Sequence, residues 1–153
     1  MRPVELSFTG LRSYTEFGPV SFDGKTLVGI LGDTGAGKST ILEALCVALY
    51  GKCSWSERDV KDLIADGART MSVDLTFSHD GHTWRVRRTF YANTMPSAHL
   101  LENLDTGAKF DNARPVDAQI VGMLRLDFTA FKSSVLLPQG RFQTLLHASG
   151  RDR

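Results

Sequence analysis

An α/β fold is predicted for this chain of 153 residues by three observations. A short apolar run, Thr26-Leu27-Val28-Gly29-Ile30-Leu31, leads into a glycine-rich loop, and the loop leads into a helical pattern. Apolar residues alternate with polar ones in several further segments, the period of half-buried strands. The resulting order is a strand meander, a helix opened by the glycine loop, more antiparallel strands, a helix and a strand. That order differs from the repeated βαβ of a small GTPase or nucleotide kinase.

The elements follow in sequence. Val4, Leu6 and Phe8 alternate and predict an opening strand, Gly10 to Tyr14 a turn, and Val20 to Phe22 a second short strand before Asp23-Gly24. Thr26 to Leu31 has the apolar character of a buried parallel strand. Ile41, Leu42, Leu45, Ala48 and Leu49 form one face of a helix that ends near Tyr50-Gly51, where glycine suits a helix C-terminus. Residues 52–70 carry both charge signs and predict a surface connection anchored by Val60, Leu63 and Ile64. Val73, Leu75 and Phe77, then Trp84, Val86 and Phe90, predict a hairpin closed by Asp80-Gly81. A further strand is expected over His99 to Asn103, closed by Asp105-Thr106-Gly107. Pro115 opens a helix to about Leu124 with Val116, Ile120, Val121 and Leu124 as its stripe. Val135-Leu136-Leu137 predicts a last buried strand before Pro138-Gln139-Gly140, and Phe142, Leu145 and Leu146 begin another helical pattern.

Gly32-Asp33-Thr34-Gly35-Ala36-Gly37-Lys38-Ser39 satisfies G-x-x-x-x-G-K-[ST], the Walker A or P-loop pattern. Glycines let successive backbone N–H groups face a polyphosphate. Lys38 supplies charge to the β- and γ-phosphates, Ser39 a hydroxyl for Mg²⁺, and the helix start a positive dipole end. A random chain of this length matches the pattern roughly once in 200, so a chance glycine turn is the weaker reading.

A net charge of +1 predicts no strong global attraction to nucleic acid or an anionic membrane. No apolar run has membrane-spanning length, and the N-terminus lacks a signal-peptide apolar region. Two cysteines, Cys46 and Cys53, are too few for a zinc site and wrongly spaced for C-x-x-C. Reduced structural thiols in a cytoplasmic protein are expected. Arg85 and Arg87 share one strand face, more in keeping with a solvated sheet face than with a DNA grip, whereas Arg88 on the apolar face predicts a paired, partly buried charge. His79 and His82 flank the hairpin turn as exposed residues; His99 and His147 show no partner pattern.

Several separated pieces in order resemble the SbcC family of SMC-like ABC ATPases. They are Gly10 to Tyr14, Gly32 to Tyr50 (GDTGAGKSTILEALCVALY), Asp62-Leu63-Ile64, Trp84 to Arg88, and Leu126 to Phe142 (LDFTAFKSSVLLPQGRF). The resemblance implies a P-loop NTPase of the ABC/SMC-head type: an N-terminal lobe with antiparallel strands, the P-loop helix and the Q-loop. It implies that Arg12 and Ser13 lie near the α- and β-phosphates, and that Asp33, Thr34, Gly35, Ala36, Gly37, Lys38, Ser39 and Thr40 wrap the phosphates of ATP. Ser39 and Gln139 would serve Mg²⁺, with Lys38 and Gln139 the catalytic contributors. Gln139 would be the Q-loop glutamine, since an amide can ligate a hard cation through oxygen and orient water through nitrogen. Leu63 and Ile64 either lie beside the base or only anchor a loop.

No Walker B strand ending in Asp-Glu, no Ser-Gly-Gly signature and no switch histidine occur in the sequence. The expectation is therefore an N-terminal half of an ATPase head over residues 1–146, with 147–153 starting a truncated coiled-coil arm. Alone it would bind ATP–Mg²⁺ weakly without turnover. The implied partners are its own C-terminal head half, a second SbcC-like head in a homodimer, an SbcD-type nuclease and double-stranded DNA, with no membrane. The alternative is a head lobe of a chromosome-structural SMC-type protein with no nuclease partner; a kinase-like P-loop enzyme is weaker.

Overall fold

The computed structural model describes residues 1–54 and 59–136. Six strands form one sheet: β1 (Arg2–Leu11), β2 (Tyr14–Ser21), β3 (Thr70–His79), β4 (His82–Tyr91), β5 (Ala98–Asn103) and β6 (Lys109–Asp111). Their spatial order is β2-β1-β3-β4-β5-β6, and every neighbouring pair is antiparallel. Among the described residues three helices accompany the sheet: α1 (Lys38–Tyr50), α2 (Ala113–Leu124) and α3 (Phe128–Ser134), with a 3₁₀ turn at Val60–Leu63.

Alternation decides which face is buried. Met71, Val73, Leu75 and Phe77 of β3 point to the helices, as do Trp84, Val86 and Phe90 of β4 and Leu6 and Phe8 of β1. Each large apolar side chain so buried contributes about 1.5–3 kcal/mol. α1 packs its Ala44, Val47 and Ala48 on this face, and α2 adds Val116 and Ile120. The β3–β4 hairpin turns through Asp80 and Gly81, both at positive φ (48° and 77°), as the two-residue turn requires.

The opposite face is polar. Its centre is Asp74, which accepts hydrogen bonds from Arg85 Nη2 at 2.7 Å and from Arg87 Nε at 2.8 Å. Burial pushes the Asp74 carboxyl up, but the two guanidiniums outweigh it and hold the group below its ordinary range. Arg85 and Arg87 thus occupy a partly exposed ion-paired sheet face.

Arg88 points the other way, into the core, and is 1% exposed. It donates from Nε to the Ala48 carbonyl (2.8 Å), and from Nη2 to the Leu49 carbonyl (2.9 Å) and Asp117 Oδ1 (2.6 Å). Nη1 meets Nδ1 of His99 at 3.0 Å. A guanidinium carries only donors, so Nδ1 is the unprotonated nitrogen of a neutral imidazole. The paired charge expected at this position is therefore present, and it caps the carbonyl end of α1. Gly51 closes that end at φ 61°, and a Cβ there would stand 3.1 Å from Arg88 Nη1. Only glycine suits both demands.

Four expectations need correction. Thr26 to Leu31 forms no strand: Leu27 is 90% and Leu31 95% exposed, and no strand among the described residues pairs with it. A buried parallel strand needs neighbours on both sides and cover on both faces; this sheet is wholly antiparallel and closes without it. Val135 and Leu136 follow α3 as a turn and coil rather than a strand, because Asp127 caps a helix through Ala130 N–H at 2.7 Å and the apolar Phe131 anchors it. Leu137 lies outside the described residues, as do Gln139, the Q-loop, and residues 147–153. Leu42 and Val121, expected on the apolar stripes of α1 and α2, are instead exposed at 43% and 37%, whereas Leu63 is buried and Val60 and Ile64 pack against the core, as the anchors of the connection over 52–70 should. His79 is tucked in at 16% exposure beside Asp80, not open to solvent.

Candidate functional site

The glycine loop precedes α1 and hands over to it through Gly37, which sits in the left-handed region at φ 83°. Ala36 N–H donates to the Asp33 carbonyl (3.1 Å) and Thr40 N–H to the Gly37 carbonyl (2.8 Å), so the loop is internally braced at both ends. Among the described residues, the N–H groups of Gly35, Gly37, Lys38 and Ser39 find no acceptor. These are the donors that a P-loop presents to phosphate oxygens.

Lys38 reaches back over the loop. Its ammonium donates to the carbonyls of Gly32 and Asp33, at 2.6 Å each. One side chain thus spans the loop from its last turn to its first residue. Ser39 is exposed and Thr40 buried at 4%. Asp33, Thr34, Gly35 and Ala36 are all exposed, an open cradle rather than a closed cavity. The donor set and the single lysine fit a polyphosphate, and the Ser39 hydroxyl fits a hard cation beside it.

Two other segments converge here. Arg12, at φ 53°, and Ser13 form the exposed turn between β1 and β2. Tyr14, the next residue, donates its hydroxyl to the Ala36 carbonyl at 3.1 Å, tying that turn to the glycine loop. Arg12 N–H donates to the Leu63 carbonyl (2.7 Å), Ala65 N–H to the Gly10 carbonyl (2.8 Å), and Leu11 bridges Ile64. The sequence-predicted residues Arg12, Ser13, Asp33 to Thr40, Leu63 and Ile64 therefore share one end of the sheet. Leu63 is 5% exposed, so its side chain belongs to the core and its backbone holds the Arg12 turn; Ile64 is half-buried.

Sequence reasoning gave no role to Tyr14 or Glu43. Glu43, fully buried on α1, accepts from Ser54 N–H (2.6 Å) and Ser54 Oγ (2.5 Å), which fastens the chain leaving α1. Burial first, and the Glu43 charge second, push the Cys46 thiol up to about 12, so it is an inert apolar filler. Spacing alone could not show either contact, because each joins segments distant in sequence.

Residues 5–146 match the family model described as an AAA domain, and the chain belongs to that family. Within it the similarities run to the SbcC/Rad50 group, as the sequence resemblance implied. The whole chain is 35% identical to the SbcC subunit of the nuclease SbcCD from Deinococcus radiodurans, covering 18% of that protein. It is 32% identical to the corresponding SbcCD nuclease subunit of Bacillus subtilis over 100% of the chain and 15% of the relative. It is 33% identical to the DNA double-strand break repair Rad50 ATPase of Halobacterium salinarum over 100% of the chain and 17% of the relative. The chain thus spans less than a fifth of the length of these relatives. A solved structure titled "Structural biochemistry of ATP-driven dimerization and DNA stimulated activation of SMC ATPases" superposes with a TM-score of 0.74, covering 100% of this chain and 95% of that one at 22% identity. That likeness shows the fold: the N-terminal lobe of an ABC/SMC-type head.

Proposed function

We propose that this chain is the ATP-binding N-terminal half of an SbcC-like ATPase head. With its C-terminal half the head would hydrolyse ATP to control a nuclease that processes DNA double-strand breaks and hairpins. The observation that carries the reading is the Lys38 ammonium held over a loop of free N–H groups at the start of α1. In use, Lys38 leaves the Gly32 and Asp33 carbonyls for the β- and γ-phosphates, and the N–H groups of Gly35, Gly37, Lys38 and Ser39 receive phosphate oxygens. The Ser39 hydroxyl and the Gln139 amide are the candidate Mg²⁺ ligands. Arg12 and Ser13 stand at the turn tied to the loop by Tyr14, and the Leu63-Ile64 segment holds that turn in place.

The exposed Leu27, Val28, Ile30 and Leu31 support the second part of the reading. They form an apolar run outside every strand among the described residues, immediately before the phosphate loop, the surface expected to be covered by a C-terminal head half. Hydrolysis then requires a carboxylate to position water, and the sequence carries no Walker B pattern. The chain alone binds ATP–Mg²⁺ without turnover. A second head, an SbcD-type nuclease and double-stranded DNA complete the proposed assembly.

Titration with a fluorescent ATP analogue and Mg²⁺ tests the nucleotide reading directly. Lys38→Ala is expected to weaken binding at least tenfold, since a charge-assisted contact contributes about 1.5–3 kcal/mol. Equal affinity in the two proteins would remove the reading. Steady-state hydrolysis by the chain alone, lost in Lys38→Ala, would overturn the claim of a composite site.

A further inference from the structure

We infer that Tyr14 is a positioning residue of the phosphate cradle, orienting one peptide of the loop through its hydroxyl. The inference rests on the nucleotide reading above and names a part that reading does not need. Tyr14 opens β2 and is half-buried. Two rings hold its own: the core ring of Phe8 at 5.4 Å and the half-buried Phe17 at 5.6 Å, both edge-on, with Phe8 and Phe17 stacked at 4.6 Å. Phe8 is 2% exposed, so the phenol stands on the rigid core rather than on a loop.

From that base it makes two contacts with the glycine loop. Its hydroxyl donates to the Ala36 carbonyl at 3.1 Å. Its ring lies against Gly37 so closely that a Cβ there would fall 2.5 Å from the ring. The Ala36 carbonyl and the Gly37 N–H belong to one trans peptide and point in opposite directions. Holding the carbonyl toward Tyr14 therefore turns the Gly37 N–H away from it, into the loop. A peptide followed by glycine can otherwise flip at small cost, because the change of φ falls on the glycine, and a flipped Ala36–Gly37 peptide would offer phosphate a carbonyl instead of a donor. Tyr14 thus prevents the flip from outside, while its ring explains why position 37 admits no side chain.

The experiment uses the full-length protein and inorganic tripolyphosphate with Mg²⁺ as the probe, competing against a fluorescent ATP analogue. Tyr14→Phe keeps the ring and removes the donor. It is expected to weaken tripolyphosphate and ATP alike by about threefold to tenfold, the scale of one hydrogen bond, with the thermal midpoint nearly unchanged. Fluorination of Tyr14 makes the hydroxyl a stronger donor at constant shape and is expected to shift affinity the opposite way. Unchanged affinity for both probes in both variants would overturn the inference while wild-type binding, lost in Lys38→Ala, leaves the nucleotide reading standing. Absence of binding in the wild type would overturn that reading and the inference together. A midpoint drop that accounts for the whole affinity loss, with no response to fluorination, would mark Tyr14 as structural and overturn the positioning role.

Discussion

Arg88 and Asp117 form one ion pair with very unequal surroundings. The guanidinium is 1% exposed and the carboxylate 44%. Burial lowers the Arg88 pKa and Asp117 opposes this, yet an arginine stays protonated. Removing the arginine strips donors from the carbonyls of Ala48 and Leu49 as well as from Asp117. Arg88→Met is therefore expected to cost about 3 kcal/mol, whereas Asp117→Asn, at the exposed end, costs about 1 kcal/mol or less. Urea unfolding of the two variants measures the difference, and equal losses would contradict the asymmetry. His99 adds a pH dependence. Burial, then the Arg88 charge, hold its imidazole below the ordinary histidine value. The folded state thus resists a proton that the unfolded chain accepts near pH 6.5. Stability is complete above that pH and falls as pH drops below it toward the folded value. His99→Gln is expected to flatten the stability profile below about pH 6.5, read as the change in unfolding midpoint on acidification from neutral pH.

Most elements were legible because their period is strict. β3 and β4 alternate without fault across Asp80-Gly81, and α1 and α2 carry their stripes, apart from the exposed Leu42 and Val121, and their stop or start residues, Gly51 and Pro115. β6 and α3 were not legible, since three residues at Lys109–Asp111 and seven at Phe128–Ser134 are too short for a period to register. The run 26–31 misled for a different reason. Its composition reports a burial that the described chain does not supply, because the neighbouring strand pattern is absent from this sheet. Leu27→Ser with Leu31→Ser is accordingly expected to leave the stability of the chain within about 0.5 kcal/mol of wild type. The same pair is expected to weaken association with the C-terminal head half, measured by co-purification. A large stability loss in the chain alone would show that these leucines are already covered.

At the scale of the whole molecule, one face of the sheet is packed and the other is a charged surface centred on Asp74, Arg85 and Arg87. The candidate site lies at neither face but at one end, where the β1–β2 turn, the 3₁₀ turn and the glycine loop meet. The P-loop signature pointed to the loop, and the resemblance to SbcC proteins implied Arg12 and Ser13 near it, with Leu63 and Ile64 either beside the base or only anchoring a loop. What no pattern showed was the fastening: Tyr14 to Ala36, Arg12 to Leu63, Glu43 to Ser54. Each is a hydrogen bond between segments whose separation follows from the fold rather than from local spacing.

The clamp of Arg88 on α1 also dictates an order of assembly. The last carbonyls of the helix, at Ala48 and Leu49, wait for donors that lie 39 or 40 residues further along the chain. During synthesis at about 5–20 residues per second, that separation corresponds to roughly 2–8 s in which the helix end has no partner. The helix that carries the phosphate loop is thus the first to be made and among the last to be finished. Its Ala48 and Leu49 carbonyls receive the Arg88 donors only once the hairpin behind it has formed.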